Sequence, residues 1–452
     1  MLNYDVVIIG GGPSGALAAI ASGRNGAKTL LVEQYGFLGG MLTAAGTGPQ
    51  MTYHAGNVQV IDGIPGELIR RMESEGFSPG HMEDFAGYTY SVTPFDAEGL
   101  KWVLEKMALE AGVDILYHTV YTGCRTGAGN ITSVKLFSKN GFFEASAKTF
   151  VDASSDADLA FHAGVSTVYG REQDGLSQPM TLNMKVYGVD RQRVIKYVRD
   201  NRDDMLPTIP FDRLEIIPRT GIQGSFNLVK RLRDEGKLTV DRERVLVFET
   251  GNPGEFIVNM SRIYKKSAID PFDLSAAETE GRRQCHEIFG LLKKYIPGFE
   301  NSFMHSTGPA IGIRESRRIN GVYKITSEDL LSNTMFDDAV VMGGYPIDVH
   351  PPDGVKVKRR EYKHGSWYSI PFRAMIANEI NNIVVTGRCI SVSHEALGSI
   401  RVTPIVMALG QAAGTAAALA AKEGCPVNKI DTRVLRAALL KDGAFLEPYR
   451  AG

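Results

Sequence analysis

The stretch YDVVIIGGGPSGALAAIASGRNGAKTLLVE, residues 4–33, decides the fold of this chain. It opens with an apolar, β-branched run of strand length. Gly10, Gly12 and Gly15 follow in G-x-G-x-x-G spacing, and an alanine-rich helical pattern comes next. A second apolar run ends at Glu33. The order of strand, glycine turn, helix, strand and acid distinguishes a dinucleotide-binding unit from an incidental glycine motif.

Each residue type in this unit has a physical reason. Gly10 allows a tight turn, Gly12 lets the backbone approach a pyrophosphate, and Gly15 lets the helix lie close to the sheet. The helix N-terminus then offers unpaired N–H groups and a partial positive charge to the phosphates. Glu33 stands where a carboxylate can accept hydrogen bonds from ribose hydroxyls, which favours FAD or NAD over NADP.

The composition excludes several classes of partner. The chain has 452 residues, of which 43% are hydrophobic, which suits a large protein with ample core. It has 50 Lys and Arg against 51 Asp and Glu, so no nucleic-acid partner is expected. The four cysteines are widely separated and form no C-x-x-C pair, which argues against a redox dithiol or a metal site. They are Cys124, Cys285, Cys389 and Cys425.

The N-terminus leads directly into the first strand without a basic region, a long apolar run or a cleavage site. We therefore expect a cytoplasmic protein. No window is expected to reach the apolar length of a membrane span.

The pattern along the chain predicts an α/β fold with two kinds of domain. Residues 1–165 form the first part of a Rossmann-like, three-layer domain that carries a small antiparallel β-meander. Residues 166–370 change character and form an inserted α+β cap or substrate domain. Residues 371–452 again show the α/β pattern of the first segment, with a buried strand at 382–386 and a small-residue helix at 403–422. They complete the first domain.

The chain resembles a known family in eight motifs, which together span nearly its whole length. They are DVVIIGGGPSG (5–15), GFLGGMLT (36–43), TFVDASSDADLA (149–160), SQPMTL (177–182), VNMSRI (258–263), GIRESRRINGVY (312–323), IDVH (347–350) and TGRCISVSHEALGSIRVTPIVMALGQAAGTAAA (386–418). These motifs resemble flavoproteins of the glutathione-reductase fold, in the fumarate-reductase-like branch and the group called FAD-dependent oxidoreductases. In one departure, Ser154-Ser155 stands where the family usually has Thr-Gly.

The resemblance implies an FAD cofactor held by both ends of the chain. The loop around Gly39 would lie along the flavin and pyrophosphate, although an ordinary mobile loop is the alternative. The helix that starts at Thr403 would point N–H groups at the flavin N1 and C2=O edge. The full set of expected FAD-binding residues is Gly10, Gly12, Pro13, Ser14, Gly15, Glu33, Gln34, Gly39, Gly40, Met41, Asp152, Ala153, Gly387, Arg388, Arg401, Val402 and Thr403.

Four residues are candidates for the chemistry. His394, just before the last long helix, is the first choice for a general acid or base, because histidine titrates near neutral pH. A structural hydrogen bond is an equally good explanation of this histidine. His350 ends the IDVH motif in front of two prolines, at a predicted strand end. Arg314 and Arg317 belong to a cluster that could clamp an anion, unless Glu315 and other acids simply pair with them.

Three functions remain open at this point. The first is a dehydrogenase or reductase that moves a hydride between flavin N5 and a small polar molecule, either neutral or anionic. The second is an oxidase or monooxygenase that uses O2, and the third is an electron-transfer subunit without turnover of its own. The sequence has no second strand–GxGxxG–helix unit, so no built-in NAD(P)H domain is expected and an external electron carrier is a candidate partner. The oligomeric state is left open.

Overall fold

The computed structural model describes residues 1–354, 358–360 and 365–449 of the chain. The β-strands are β1 (Leu2–Ile9), β2 (Thr29–Val32), β3 (His54–Ala55), β4 (Val58–Gln59), β5 (Met82–Glu83), β6 (Ser91–Val92), β7 (Asp114–Leu116), β8 (Val120–Gly127), β9 (Asn130–Ser138), β10 (Gly141–Asp152), β11 (Thr167–Tyr169), β12 (Met184–Tyr187), β13 (Gly221–Gly224), β14 (Val245–Glu249), β15 (Phe256–Val258), β16 (Phe303–Thr307), β17 (Arg317–Ile319), β18 (Ala339–Gly343), β19 (Ile347–Val349), β20 (Lys358–Arg360), β21 (Tyr368–Pro371) and β22 (Ile383–Val385). The α-helices are α1 (Pro13–Arg24), α2 (Ile64–Ser74), α3 (Ala97–Glu110), α4 (Asp158–His162), α5 (Arg191–Asp200), α6 (Phe226–Asp234), α7 (Pro271–Tyr295), α8 (Ser327–Leu331), α9 (His394–Ile400), α10 (Thr403–Glu423) and α11 (Thr432–Lys441).

A seven-stranded sheet joins the first and last parts of the chain. Its strands lie in the order β7-β2-β1-β10-β9-β8. The seventh strand, β22, pairs with the last three residues of β10. The strands β7, β2, β1, β10 and β22 are parallel, as expected for a doubly wound α/β fold. The predicted Rossmann-like α/β fold is therefore confirmed, including the return of the C-terminal part of the chain to the first sheet.

The antiparallel meander is also confirmed, and its last strand belongs to the parallel part of the sheet as well. Strand β10 pairs with β9 at its start and with β1 along most of its length. A single strand serves both purposes because its later residues, from Thr149 to Asp152, are buried, while its first half stays partly exposed.

A second sheet of five strands, in the order β13-β14-β15-β12-β16, is antiparallel throughout. Helix α7 lies with this sheet in one hydrophobic cluster, to which Ala277, Cys285 and Ile288 contribute. The helix begins at Pro271, where Asp270 caps it by accepting a hydrogen bond from the Asp273 N–H at 2.9 Å. Sheet and helix form an α+β body around one hydrophobic core.

Helices α1 and α10 cross at close range because small residues meet at their contact. A Cβ on Gly410 would lie 2.1 Å from the Ser14 carbonyl oxygen, and one on Gly414 would lie 1.9 Å from that of Ala18. Helix α10 is also long and apolar enough to cross a membrane by length and composition, so the expectation that no window reaches that length is wrong. Its apolar surface is used inside the protein, where 89% of the most apolar window is buried.

The boundaries of the inserted domain stay a prediction. Strands β18 and β21 pair with each other, and their side chains join the same hydrophobic cluster as α1 and α10. The segment that sequence analysis assigned to the cap thus also contributes buried residues to the first core, for example Val341, Tyr368 and Ile370.

Candidate FAD and substrate site

Two connected cavities lie at the carboxyl ends of the central parallel strands. The larger, a cleft of about 590 Å³, is lined by residues from the ends of β1, β2 and β10 and by residues near the start of α7. The smaller, a pocket of about 200 Å³, extends from it towards the five-stranded sheet. Pro13, Met41, Ser155, Ile313 and Arg388 line both cavities, so the two form one continuous space.

Most of the predicted FAD-binding residues line this space. Those on the cleft are Gly10, Gly12, Pro13, Glu33, Gln34, Gly40, Met41, Ala153 and Arg388. Those on the pocket are Pro13, Ser14, Met41, Gly387, Arg388, Arg401, Val402 and Thr403. The segment around Gly12 and the segment around Arg388 are brought together here because β1 and β22 both pair with β10.

Three predicted FAD-binding residues line neither cavity, and each supports the cleft from behind. A Cβ on Gly15 would lie 1.8 Å from the Gly10 carbonyl oxygen, so this glycine permits close packing of α1. Gly39, at φ 105°, donates its N–H to the Gly11 carbonyl oxygen at 2.9 Å. The Asp152 carboxylate is fully buried and accepts from the Ser154 and Ala160 N–H groups at 3.0 and 2.8 Å. Asp152 therefore orders its own turn.

The glycine turn leaves room for a phosphate group. A Cβ on Gly12 would meet no atom nearer than 4.0 Å, so it would project into the cleft and not into the protein. A Cβ on Gly40 would lie 2.8 Å from the Gly12 Cα, which shows how closely the two backbones approach. Helix α1 has no side-chain cap and no acidic residue in its first turn. Its first N–H groups thus remain available to an anion.

Glu33 closes the other end of the cleft. Its Oε2 accepts from the Gly11 N–H at 2.7 Å, and its Oε1 accepts from the Tyr35 N–H at 2.8 Å. Burial raises the pKa of this carboxyl, and the backbone N–H groups act in the opposite direction. The side chain fixes the glycine turn while facing the cleft, where sequence analysis placed a ribose acceptor.

Arg388 stands where cleft and pocket meet. Its Nη2 donates to Asp156 Oδ1 at 2.5 Å, and its Nε is buried without a hydrogen-bond partner among the described residues. Gly387, at φ 85°, brings this turn against α1, because a Cβ there would lie 2.9 Å from Ser14 Oγ. An unused guanidinium donor at this junction fits an anionic group of a bound dinucleotide.

The unusual Ser154-Ser155 pair does not disturb the turn after β10. Ser155 adopts a left-handed φ of 69°, the conformation for which glycine is usual at such a position. Arg317 holds the following residues, through its Nε donation to the Asp156 carbonyl oxygen at 2.9 Å and an ion pair with Asp158. Arg317 lines the cleft and does not line the smaller pocket.

Arg314, by contrast, lines the substrate pocket. Its Nη1 donates to the Pro179 carbonyl oxygen at 2.6 Å and to Thr181 Oγ1 at 2.5 Å. No carboxylate of the described residues forms an ion pair with it. Burial lowers the pKa of this guanidinium to about 9, and the nearby Arg401 and Arg262 act in the same direction. Since arginine keeps its charge in proteins, this environment favours an anion beside Arg314.

His350 and Asp348 form a buried pair on the pocket wall. The His350 Nε2 lies 3.2 Å from Asp348 Oδ2, and its Nδ1 lies 3.2 Å from Arg262 Nη2. Because arginine can only donate, Nδ1 accepts and Nε2–H donates to the carboxylate. Burial lowers the pKa of His350 to about 3, so the imidazole is neutral near pH 7. Burial would raise the pKa of Asp348, but His350 and Arg401 outweigh it and hold that pKa well below its usual range.

His394, the first sequence candidate for acid–base chemistry, lines neither cavity. It is 7% exposed at the start of α9, and its Nδ1 lies 2.9 Å from Glu315 Oε1. Glu315 also pairs with Arg318 and accepts from the Gln178 N–H at 3.0 Å. The structure thus places His394 in a buried polar group that joins α9 to β17. These surroundings match the alternative given in the sequence analysis, a histidine held by a structural hydrogen bond.

Sequence analysis missed Asp348, and it included Arg262 only as part of the VNMSRI motif. The IDVH motif contained the signal for Asp348, because residues two apart on a strand point to the same face, and His350 was already a candidate. Arg262 carried no such signal, since it approaches His350 across 88 residues of sequence. Asn183 and Asn259 also line the pocket, each with a buried Oδ1 that lacks a hydrogen-bond partner among the described residues.

This fold and this cleft define a dinucleotide-dependent enzyme of the flavoprotein class. The chain belongs to the FAD dependent oxidoreductase family, whose model matches residues 5–439. FAD is its cofactor, as predicted. The narrower fumarate-reductase-like branch is not shown by the comparisons.

Individual curated relatives align with only part of this chain. The digeranylgeranylglycerophospholipid reductase of Methanoculleus marisnigri is 29% identical over 181 residues, 37% of this chain and 42% of that protein. The soluble pyridine nucleotide transhydrogenase of Mycobacterium tuberculosis is 46% identical over 52 residues, 12% of this chain and 11% of that protein. The chain therefore aligns with less than half the length of either. The crystal structure of p-nitrophenol 4-monooxygenase PnpA from Pseudomonas putida has a TM-score of 0.50 at 12% identity, covering 97% of this chain and 84% of that one. That likeness shows a shared fold.

Proposed function

We propose that this protein transfers a hydride between FAD and a small anionic organic molecule bound in the pocket. The observation that carries this proposal is Arg314, which lines the pocket without an ion-pair partner among the described residues. Arg401 lines the same pocket and has a buried, unused Nε donor. Guanidinium groups bind carboxylates through two parallel hydrogen bonds, so the two arginines suit a carboxylate-bearing substrate.

FAD supplies the hydride chemistry when it is bound, through its N5 atom. The chain supplies position, charge and a place for the accompanying proton. His350, whose imidazole is neutral near pH 7, lines the pocket beside Asp348 and is the candidate to accept that proton. The start of α10, with Val402 as its N-cap and no acidic residue in its first turn, favours negative charge beside it.

The second substrate, which returns or removes the electrons, comes from outside this chain in our proposal. Every parallel pair of strands in residues 1–354, 358–360 and 365–449 belongs to the seven-stranded sheet that carries the FAD cleft. A second dinucleotide domain of the usual type needs its own parallel sheet. This supports a separate electron carrier as the partner.

The fumarate-reductase-like branch and a cytoplasmic location also stay predictions.

Anaerobic mixing of the FAD-loaded protein with hydroxy acids and saturated acids tests the proposal. We expect at least one acid to bleach the flavin absorbance and its neutral amide to leave the absorbance unchanged. Arg314→Ala should lower kcat/KM for that acid by roughly 30-fold or more, because it removes a buried charged hydrogen-bond donor worth about 2 kcal/mol or more. Arg433→Ala is the matched control, since that side chain is 89% exposed.

The same preparation distinguishes the other two functions. After photoreduction, slow reoxidation by air is expected for a dehydrogenase or reductase, whereas fast reoxidation would favour an oxidase or monooxygenase. Bleaching by neutral amides as readily as by acids would contradict the anionic substrate. A complete lack of bleaching by every compound would favour an electron-transfer subunit.

A further inference from the structure

Five arginines surround the substrate pocket, and their combined charge exceeds what a single carboxylate would balance. We define the arginine cluster as Arg242, Arg244, Arg262, Arg314 and Arg401. Arg314 and Arg401 line the pocket itself. Of the other three, Arg242 and Arg244 lie just before β14 and Arg262 lies just after β15.

The members of the cluster are close enough to repel one another. Burial lowers the pKa of Arg242, which is only 5% exposed, and Arg262, Arg314 and Arg244 lower it further. Burial likewise lowers the pKa of Arg244, with Arg262 adding to the effect while Asp348 and Glu243 act against it. The cluster therefore behaves as one region of positive charge in a poorly solvated environment.

Little negative charge of the protein compensates for this region. Among the described residues, the only ion pair of the cluster joins Arg401 Nη2 to Asp348 Oδ2 at 3.9 Å. Asp348 is also engaged by His350. Asp241 is linked to the cluster through Tyr264, whose hydroxyl accepts from Arg262 and donates to Asp241 at 3.1 Å. Asp241 also pairs with Arg233, which lies outside the cluster.

The hydrogen bonds of the cluster are made to neutral groups. Arg242 donates to the Asn259 carbonyl oxygen, and Arg262 donates to the Tyr264 hydroxyl at 3.3 Å and to His350 at 3.2 Å. The Nε atoms of Arg242, Arg262 and Arg401 are buried and have no partner among the described residues. Buried charges in proteins are normally paired, because an uncompensated one is costly to remove from water.

We propose that the substrate of this pocket carries at least two anionic groups, one bound by Arg314 or Arg401 and the other balancing the rest of the arginine cluster. This inference rests on the proposed function, because it names the substrate class of the same site. A single substrate carboxylate would leave most of the cluster uncompensated. A second carboxylate, or a phosphate group, would compensate more of the charge of the cluster.

Three compounds with one carbon skeleton test the number of charges. Succinate carries two carboxylates, succinamate carries one, and succinamide carries none. Binding to the FAD-loaded protein is followed at constant ionic strength by the change in flavin absorbance and by the shift in melting temperature. We expect succinate to bind at least tenfold more tightly than succinamate, and succinamide to show no binding. Inorganic phosphate forms a further arm, and binding of phosphate without binding of succinate would identify the second anion as a phosphate.

A pair of variants tests the role of the cluster. Arg262 belongs to the arginine cluster but does not line the pocket. Arg262→Gln removes its charge, and we expect the tenfold preference for succinate over succinamate to shrink. Arg433→Gln removes one exposed charge and should leave the preference unchanged. If Arg262→Gln does not fold, the competition between succinate and succinamate in the unaltered protein still decides the question.

The possible results separate the two proposals. Equal binding of succinate and succinamate, or no binding of succinate and phosphate, would overturn the requirement for two charges. Bleaching of the flavin by a monoanion with no dianion preference would overturn it as well, while the proposed hydride transfer would stand. A strong dianion preference together with no bleaching by any acid would support the second charge and count against the hydride transfer.

Discussion

At the scale of single residues, two histidines of similar sequence prominence have different surroundings. His350 lines the pocket and bonds to Asp348 and Arg262. His394 is enclosed with Glu315 and lies away from both cavities. Position next to a glycine-rich or helical motif therefore says little about whether a histidine can reach a substrate.

The His394→Ala variant should separate a structural role from a chemical one. The change leaves one acceptor position of the buried Glu315 empty, although Arg318 still pairs with it. We expect the free energy of unfolding to fall by about 1–3 kcal/mol, the usual cost of an unsatisfied buried group. Turnover per bound FAD should stay unchanged. Denaturant unfolding measures the first quantity and steady-state kinetics the second, and loss of turnover at full FAD occupancy would restore His394 to the mechanism.

Most residues predicted to bind FAD line the two cavities, because their positions follow from local rules. Gly10 and Gly12 lie in one motif, and strand ends fix the places of Glu33 and Ala153. The arginines were harder, since Arg314 and Arg317 are only three residues apart yet line different cavities. Only the three-dimensional path of the chain before β17 separates them, and no periodic pattern encodes that path.

At the scale of elements, the contact between α1 and α10 joins the first and last parts of the chain. Both helices carry small residues at the crossing, and the carbonyl oxygens of Ser14 and Ala18 lie against Gly410 and Gly414. The contact also sets the position of the two helix N-termini that face the cavities. Packing and cofactor binding are therefore coupled through the same pair of helices.

The Gly414→Ala variant tests this coupling. Its Cβ would lie 1.9 Å from the Ala18 carbonyl oxygen, so the helices must separate. We expect the free energy of unfolding to fall by about 1–3 kcal/mol, as for other overpacked contacts, and FAD affinity to weaken as well. Gly290→Ala in α7 is the matched control, because a Cβ there meets nothing within 4 Å. That control should be neutral or stabilising by up to about 1 kcal/mol. Calorimetry and FAD titration measure the two effects, and an unchanged melting temperature for Gly414→Ala would contradict the coupling.

Element prediction succeeded for long periodic segments and was weaker for short strands. Helix α10 begins at Thr403, as its pattern predicts. Strands β18 and β21 gave no clear signal, and they pair only with each other in the described chain. Their place beside the first core depends on tertiary contacts, which explains why sequence analysis assigned them to the inserted segment.

At the scale of the whole molecule, the FAD cleft is built from segments that lie far apart in the chain. Gly12 comes from the first turn, Ala153 from the end of β10, and Arg388 from the turn after β22. Ile269 and Leu274, at and near the start of α7, line the same cleft from the other body. A bound dinucleotide would therefore contact both bodies at once.

Removal of FAD should consequently destabilise the whole protein and not the cleft alone. A ligand present at about one hundred times its Kd stabilises the native state by about 2.7 kcal/mol, so the apoprotein should melt at a lower temperature and be cleaved faster by protease. Gly12→Val should resemble the apoprotein even with added FAD, because its side chain projects into the cleft without meeting an atom of the protein nearer than 4.0 Å at Cβ. Gly290→Ala, on the exposed side of α7, should respond to FAD like the unaltered chain. A Gly12→Val protein that binds FAD and gains the full increase in melting temperature would show that the dinucleotide does not pass over the glycine turn.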